Sequence, residues 1–232
     1  MQFIEVSLTG VRSAVITLSA PGQPQRVVLF PMLHLATPDF YTSVAARLGS
    51  CRVILAEGIA GNSLVAGALT SAYRLPARRD RLGLVAQNID YARLQAEVIA
   101  PDLTGRQLRS GWRALPFLPR AALFLLAPVM GAVFWLRGSR RTLARFAAAE
   151  DLPDPALVML RDRAPGLMRL LLDDRDAQLA AALDQVLART SDEPADIAVV
   201  YGAAHMPALT RHLQSRYGFR PRAADWLTVF DF

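Results

Sequence analysis

Three short, unbroken apolar runs constrain this chain more than any other feature. They fall at residues 27–30, 52–56 (apolar from Val53 onward) and 197–201. Runs this brief and uninterrupted read as strands buried on both faces. A sheet covered on both faces needs helices on each side, which places the chain in the α/β class. Each run is followed by a polar residue of a catalytic type: His34 after the first, Glu57 after the second, His205 after the third. Between the first two, Thr37 and Pro38 mark a helix start, with the helix running through Tyr41 to Leu48 and stopping near Gly49. This strand–helix–strand unit is expected to be a parallel, right-handed crossover.

The remaining pattern sets the organisation around that unit. Residues 3–8 and 13–18 read as strands, with turns at Thr9-Gly10 and over 20–22. From about Ser63 to Leu187 the reading is mostly helical. Residues 82–98, 154–164 and 166–188 carry helical spacing, broken by a basic connection over 74–81 and by 101–104. Leu179, Leu183 and Leu187 recur at four-residue steps, which is a core stripe. Residues 206–217 predict a helix closed by Gly218, and 219–232 return as strand. The expectation is one α/β domain over residues 1–232. Its central mixed sheet is built from both chain ends, 1–62 and 189–232, around a mainly helical insertion over 63–188.

Composition narrows the function classes. With 53% hydrophobic residues in 232, the chain has ample material for a core. The net charge of +6 is carried entirely by arginine, since the sequence has no lysine. Those arginines are spread along the chain without a recognised nucleic-acid motif, so no nucleic-acid partner is expected. Cys51 is the only cysteine, which excludes an intrachain disulfide and a cysteine-based zinc site. The start, residues 1–10, lacks the basic opening and long apolar run of a signal peptide. The expected location is the cytoplasm, peripheral to the inner face of the membrane if the apolar segment below engages lipid.

In open α/β sheets, ligand sites lie outside the carboxyl ends of the strands. His34, Glu57 and His205 are therefore the candidate site. Two neutral imidazoles and a carboxylate suit a divalent metal, which would activate water near neutral pH. Alternatively, a histidine acts as general base without metal. Residues 30–34, 56–58, 174–176 and 201–206 together resemble the ordered motifs of the TraB/PrgY/GumN family, related to Tiki proteases, erythromycin esterases and ChaN-like proteins. That family carries a Gly-x-x-His motif near each end, a glutamate after the first and an arginine between. Here Gly202 to His205 keeps the second motif, while Pro31 stands where the first glycine would. The resemblance implies a metal-dependent hydrolase of peptidase or esterase type acting on a small-molecule or peptide substrate. His34, His205 and Glu57 would be metal ligands, and Glu57 and Arg175 catalytic. For Arg175 the alternative is an ion pair with Asp173, Asp174 or Asp176. Asp102 and Asn88 are further pocket candidates without an assigned place. The family also contains regulators and haem binders, so a non-catalytic regulator or ligand-binding protein of the same fold, associated with membrane, is the alternative function.

Residues 121–136 form an uncharged apolar run between Arg120 and Arg137. This is shorter than the roughly 20 apolar residues a bilayer span needs, and Pro128 and Gly131 are expected to interrupt it. Three readings stand side by side: a helical hairpin buried in the core or in a homodimer interface, an element lying on a membrane surface through 115–145, and a full span.

Overall fold

A computed structural model describes residues 1–58, 70, 72, 74–78, 80–149 and 161–232. The chain is a mixed α/β protein. Its central sheet has seven strands among the described residues. β1 (Ile4–Val6), β2 (Gly10–Ser19) and β3 (Arg26–Met32) come from the first stretch of chain. A short β4 (Leu35–Ala36) lies outside the sheet. Helix α1 (Pro38–Leu48) leads to β5 (Val53–Ala56). The last third adds β8 (Asp196–Gly202) and β9 (Arg220–Asp231).

The spatial order is β1-β2-β3-β8-β5 and then β7 (Glu97–Ile99), with β9 on the other edge of β2. β3, β8, β5 and β7 run parallel, while β1, β3 and β9 meet β2 antiparallel. β3 and β5 are thus not neighbours. A strand from near the chain end sits between them, and both termini build the sheet as expected.

Side-chain alternation in the parallel strands explains the layering. Val27, Leu29, Val53, Leu55, Ile197 and Val199 point into one apolar cluster. Phe30, Met32, Ile54, Ala56, Ala198 and Val200 point into another, on the opposite face. With both faces apolar, each must be covered. Phe40, Tyr41, Val44 and Leu48 of α1 cover one. The other is covered by Leu179, Leu183, Val186 and Leu187 of the helix Asp174–Arg189, and by Met206, Leu209 and Leu213 of the helix Met206–Tyr217. The four-residue leucine stripe read from sequence is this packing surface. The latter helix ends, as expected, at Gly218, whose φ of 73° is the left-handed conformation that glycine adopts without steric cost.

The insertion is where the structure departs from expectation. Residues 82–98 are not a helix. They contain β6 (Val85–Ala86), which pairs with β4, a 3-10 turn at Tyr91–Arg93, and the start of β7. Leu82 and Leu84 are buried and Ile89, Tyr91 and Leu94 half-buried against the α1-side core, so irregular chain anchored at intervals mimics a helical spacing. β7 is a three-residue edge strand, too short to announce itself. The expected break over 74–81 is partly helical, at 74–77 and in a 3-10 turn at Asp80–Leu82. The beginning of the insertion at Ser63, and most of the helix expected over 154–164, lie outside the described residues.

The remaining helices are α2 (Gly105–Ala114), α3 (Phe117–Arg137), α4 (Arg140–Ala149), α5 (Pro165–Met168), α6 (Asp174–Arg189) and α7 (Met206–Tyr217). A π-helical segment, Arg169–Asp173, joins α5 to α6. α3 runs unbroken through Pro128 and Gly131, against expectation. A proline removes one donor and strains one turn, and the hydrogen bonds on either side carry the helix across. α3 is not buried either: only Ala127 and Gly131 are enclosed.

Candidate active site

The parallel strands deliver their polar followers to one edge. In the register of β3 with β8, Met32 lies opposite Gly202, and Ala56 of β5 lies opposite Val200. Glu57, His34 and His205 therefore all emerge just past the carboxyl ends. The chain leaving β7 arrives beside them with Pro101 and Asp102.

Arg175 ties two of these strand ends together. It stands one turn ahead of Leu179 on the stripe that α6 lays on the sheet, so its side chain reaches over the sheet edge. Its Nε and Nη2 donate to Asp102 Oδ1 and Oδ2 at 2.8 and 2.7 Å, and Nη2 also donates to Glu57 Oε1 at 2.5 Å. The ion pair with Asp173, Asp174 or Asp176 is not formed: Asp173 meets Arg161 instead. Asp102 has no exposed side-chain surface, and its remaining acceptor positions take the backbone N–H groups of Gly58 and Leu103. A buried carboxylate with four donors and a bidentate guanidinium is fully satisfied. Tyr201 holds the approach to it, donating its hydroxyl to the Pro101 carbonyl at 3.0 Å. Burial first, and then the charges of Asp102 and Glu57, hold the Tyr201 proton well above the usual phenol range.

Glu57 is fixed at both oxygens. Oε2 accepts the Gly202 N–H at 2.7 Å. A Cβ at position 202 would sit 3.3 Å from Glu57 Oε2 and 3.7 Å from the His205 ring, so glycine is what permits this approach. Burial pushes the Glu57 carboxyl up, but the charges of Arg175, His34 and His205 with the Arg175 hydrogen bond outweigh it and bring it down to about 2.

His205 is buried and its Nδ1 lies 2.7 Å from Asp176 Oδ1. A carboxylate accepts here, so Nδ1 is the donor, and in the neutral ring that tautomer places the lone pair on Nε2. The Tyr201 ring packs edge-on against the imidazole, with centroids 5.5 Å apart. Asp176 follows Arg175 by one residue, so the first turn of α6 reaches both Glu57 and His205.

His34 lies in the turn between β3 and β4. The Tyr41 hydroxyl donates to the Leu33 carbonyl at 2.8 Å and the Gln87 N–H to the His34 carbonyl at 3.1 Å. Burial lowers its pKa; the Glu57 charge opposes this, and Arg175 and His205 add to the lowering. His34, Glu57, Arg175 and His205 thus act on one another electrostatically. Pro31 does not disturb this: it continues β3, and its carbonyl accepts from Ser13 Oγ at 2.6 Å just past the last β2–β3 pair. The buried Tyr91 hydroxyl has no hydrogen bond of normal geometry among the described residues. Burial, with the Glu57 charge second, pushes it up to about 12.

Of the residues expected from sequence, the structure brings Glu57, Arg175 and His205 to one edge by direct contact or shared neighbours, with His34 coupled to all three. Asp102, Asp176 and Tyr91 complete the group; Asn88 is exposed, and no hydrogen bond among the described residues joins it to them. The donors do not fit a three-ligand metal centre as they stand. Both Glu57 oxygens are occupied, one by a guanidinium that repels a cation and the other by the Gly202 N–H. Among the described residues no group of three or more His, Cys, Asp or Glu side chains is arranged to hold a metal ion.

The electrostatics predict a pH dependence of folding. Glu57 falls from its ordinary 4.5 to about 2 on folding, so its contribution is present above 4.5 and is lost as pH falls from there towards 2. His34 falls below its ordinary 6.5, so the unfolded chain takes up that proton first and stability declines below 6.5. Urea midpoints are expected to drop in both windows. His34→Gln should flatten only the upper one, and an unchanged upper step would count against the burial of this imidazole.

Compared with known proteins, the chain matches no family model, no curated protein and no solved structure.

Proposed function

We propose that this protein is a TraB/PrgY-like hydrolase of peptidase or esterase type, in which His205 activates water. The observation that carries this reading is the Asp176–His205 pair, which in the neutral imidazole directs the ring proton to Nδ1 and the lone pair to Nε2, at the sheet edge that also holds Glu57 and Arg175. The ordered motifs in the sequence support the same assignment.

In this reading His205 Nε2 takes a proton from water as the water oxygen attacks a substrate carbonyl carbon. The carbonyl π pair moves to its oxygen, and the Nη1 donors of Arg175, which Asp102 and Glu57 leave uncommitted, face the developing charge. When the intermediate collapses, the bond to the leaving oxygen or nitrogen breaks and the imidazolium returns its proton to that atom. Glu57, with both oxygens bonded to Arg175 and the Gly202 N–H, serves as a fixed charge and not as the base. Its fixed negative charge stabilises the imidazolium as it forms. His34, neutral at pH 7, orients the water or the leaving group.

A metal-assisted version, with the two histidines as ligands and Glu57 released from Arg175, rests on the same cluster of two imidazoles and an acid. A panel of chromogenic esters and fluorogenic peptides, run with and without a chelator, separates the two. Turnover that survives chelation and disappears in His205→Gln is expected. Loss on chelation with recovery on adding a divalent metal would transfer the assignment to the metal version. No turnover across the panel would overturn both.

A further inference from the structure

We infer that α3 docks this protein onto the surface of an anionic phospholipid membrane, lying in one leaflet with its arginine-flanked ends among the head groups. α3 is a 21-residue helix, about 31 Å long at 1.5 Å per residue. Leu118, Leu125, Leu126, Val129, Val133 and Leu136 are all exposed, Leu125 at 67% and Leu136 at 60%. Contact with the body is a narrow strip: Leu123 against the cluster around Trp112, then buried Ala127 and Gly131, then Phe134 against the main core. Most of the helix circumference is thus bare apolar surface of a kind that water-facing helices do not carry.

Charge identifies what covers it. No Asp or Glu occurs from Leu103 to Ala149. Arg113, Arg137, Arg141 and Arg145 are exposed around the helix ends, with Arg120 half-buried in the first turn, and none of the five forms an ion pair among the described residues. A second copy of the chain would set one arginine-rich segment with no acid against another. A leaflet of anionic lipid offers acyl chains to the apolar face and phosphates to the arginines. At the carboxyl end of α3 a groove of about 430 Å³ is lined by Arg81, Gly138, Ser139, Arg140, Arg141 and Phe232. It lies away from the histidine cluster and is basic, as a phosphate head group requires.

Length and apolarity alone would let α3 span a bilayer, but both its ends are fastened to the same body. At the start, Trp112 and Leu115 are buried in the neighbouring cluster. At the other end, Arg140 donates to the carbonyls of Leu82 and Asp231 at 2.7 and 2.9 Å. The helix therefore lies along the surface, where it cannot place its ends on opposite sides of a membrane.

Flotation of the full chain with phosphatidylcholine vesicles, against vesicles of phosphatidylcholine mixed with phosphatidylglycerol, tests this. The chain is expected to float with the mixed vesicles only. A Leu125→Glu/Val129→Glu/Leu136→Glu variant, checked for folding by circular dichroism, should stay at the bottom. Arg137→Gln and Arg141→Gln should each weaken binding about fivefold. Brominated acyl chains should quench a part of the tryptophan fluorescence that is missing in Trp135→Phe. The proposal is overturned if the full chain does not float, if the glutamate variant floats equally well, if the bound chain resists alkaline extraction as a spanning protein does, or if light scattering finds a dimer that the glutamate variant splits while neither form binds vesicles.

Discussion

Replacing Arg175 with Met should lower the unfolding free energy by about 3–5 kcal/mol, because it leaves two carboxylates buried with no counter-charge. Arg175 supplies two of the four donors on Asp102 and one of the two on Glu57. Asp102 is sealed from water, so it cannot recover by solvation. Burial works against the Arg175 charge, yet its pKa is raised, because the bonds and charges of Asp102 and Glu57 more than offset that burial. A loss of this size is a large share of the roughly 5–15 kcal/mol that holds a domain folded. Arg175→Lys should fall between the variant and the wild type, since a point charge cannot make the forked pair with Asp102. Adding Asp102→Asn and Glu57→Gln to Arg175→Met should restore part of the loss, since the buried charges go with their partner. Urea denaturation measures all of these. A wild-type midpoint for Arg175→Met would mean that the pairs contribute nothing to the fold.

The second large effect is expected on the turnover of the proposed hydrolase. Asp176→Asn should reduce kcat by about 10³–10⁴-fold while KM changes little. An asparagine can present its amide N–H to Nδ1, which forces the ring proton to Nε2 and removes the lone pair that takes the water proton. Asp176 is half-buried at the start of α6, so the exchange of oxygen for nitrogen should leave the denaturation midpoint nearly unchanged. That separation of activity from stability distinguishes an orienting role from a structural one. Equal activity in the wild type and Asp176→Asn would remove the base from His205 and leave His34 as the candidate.

The sheet and half of the candidate site were legible because their signals are local. Residues 53–56 and 197–201 are apolar on both faces, and a run of that kind has few other places to go. The polar residue that ends each run then falls at the sheet edge by geometry. β7 carried no such signal. Glu97, Val98 and Ile99 form an edge strand in which Glu97 and Val98 are exposed and Ile99 half-buried, so nothing in their pattern demands a strand. With no visible strand before it, Asp102 has no predictable place in the sequence pattern, although it is the deepest charged group in the cluster. The motif around Arg175 points to the residue itself, but its partners are 118 and 73 residues away in sequence, and no local pattern identifies pairing at that distance. One signal was available: Arg175 extends the Leu179–Leu183–Leu187 stripe by one step towards the strand ends. In α3 the signal of Pro128 points to an interruption, and the good helix formers on both sides of it override that signal.

The position of β8 has a consequence for synthesis. This strand sits between β3 and β5 and carries the glycine and histidine that meet Glu57. When a ribosome has released β3, α1 and β5, the middle of the sheet is still missing, and their apolar edges wait for a segment not yet translated. The neighbouring pair that should close this gap is separated by most of the chain, a topology that folds slowly and leaves sticky intermediates. The cluster of Glu57, Arg175 and His205 therefore assembles only after β8 has been made, and a nascent chain that stops short of β8 lacks both the Gly202 N–H on Glu57 and the His205–Asp176 pair.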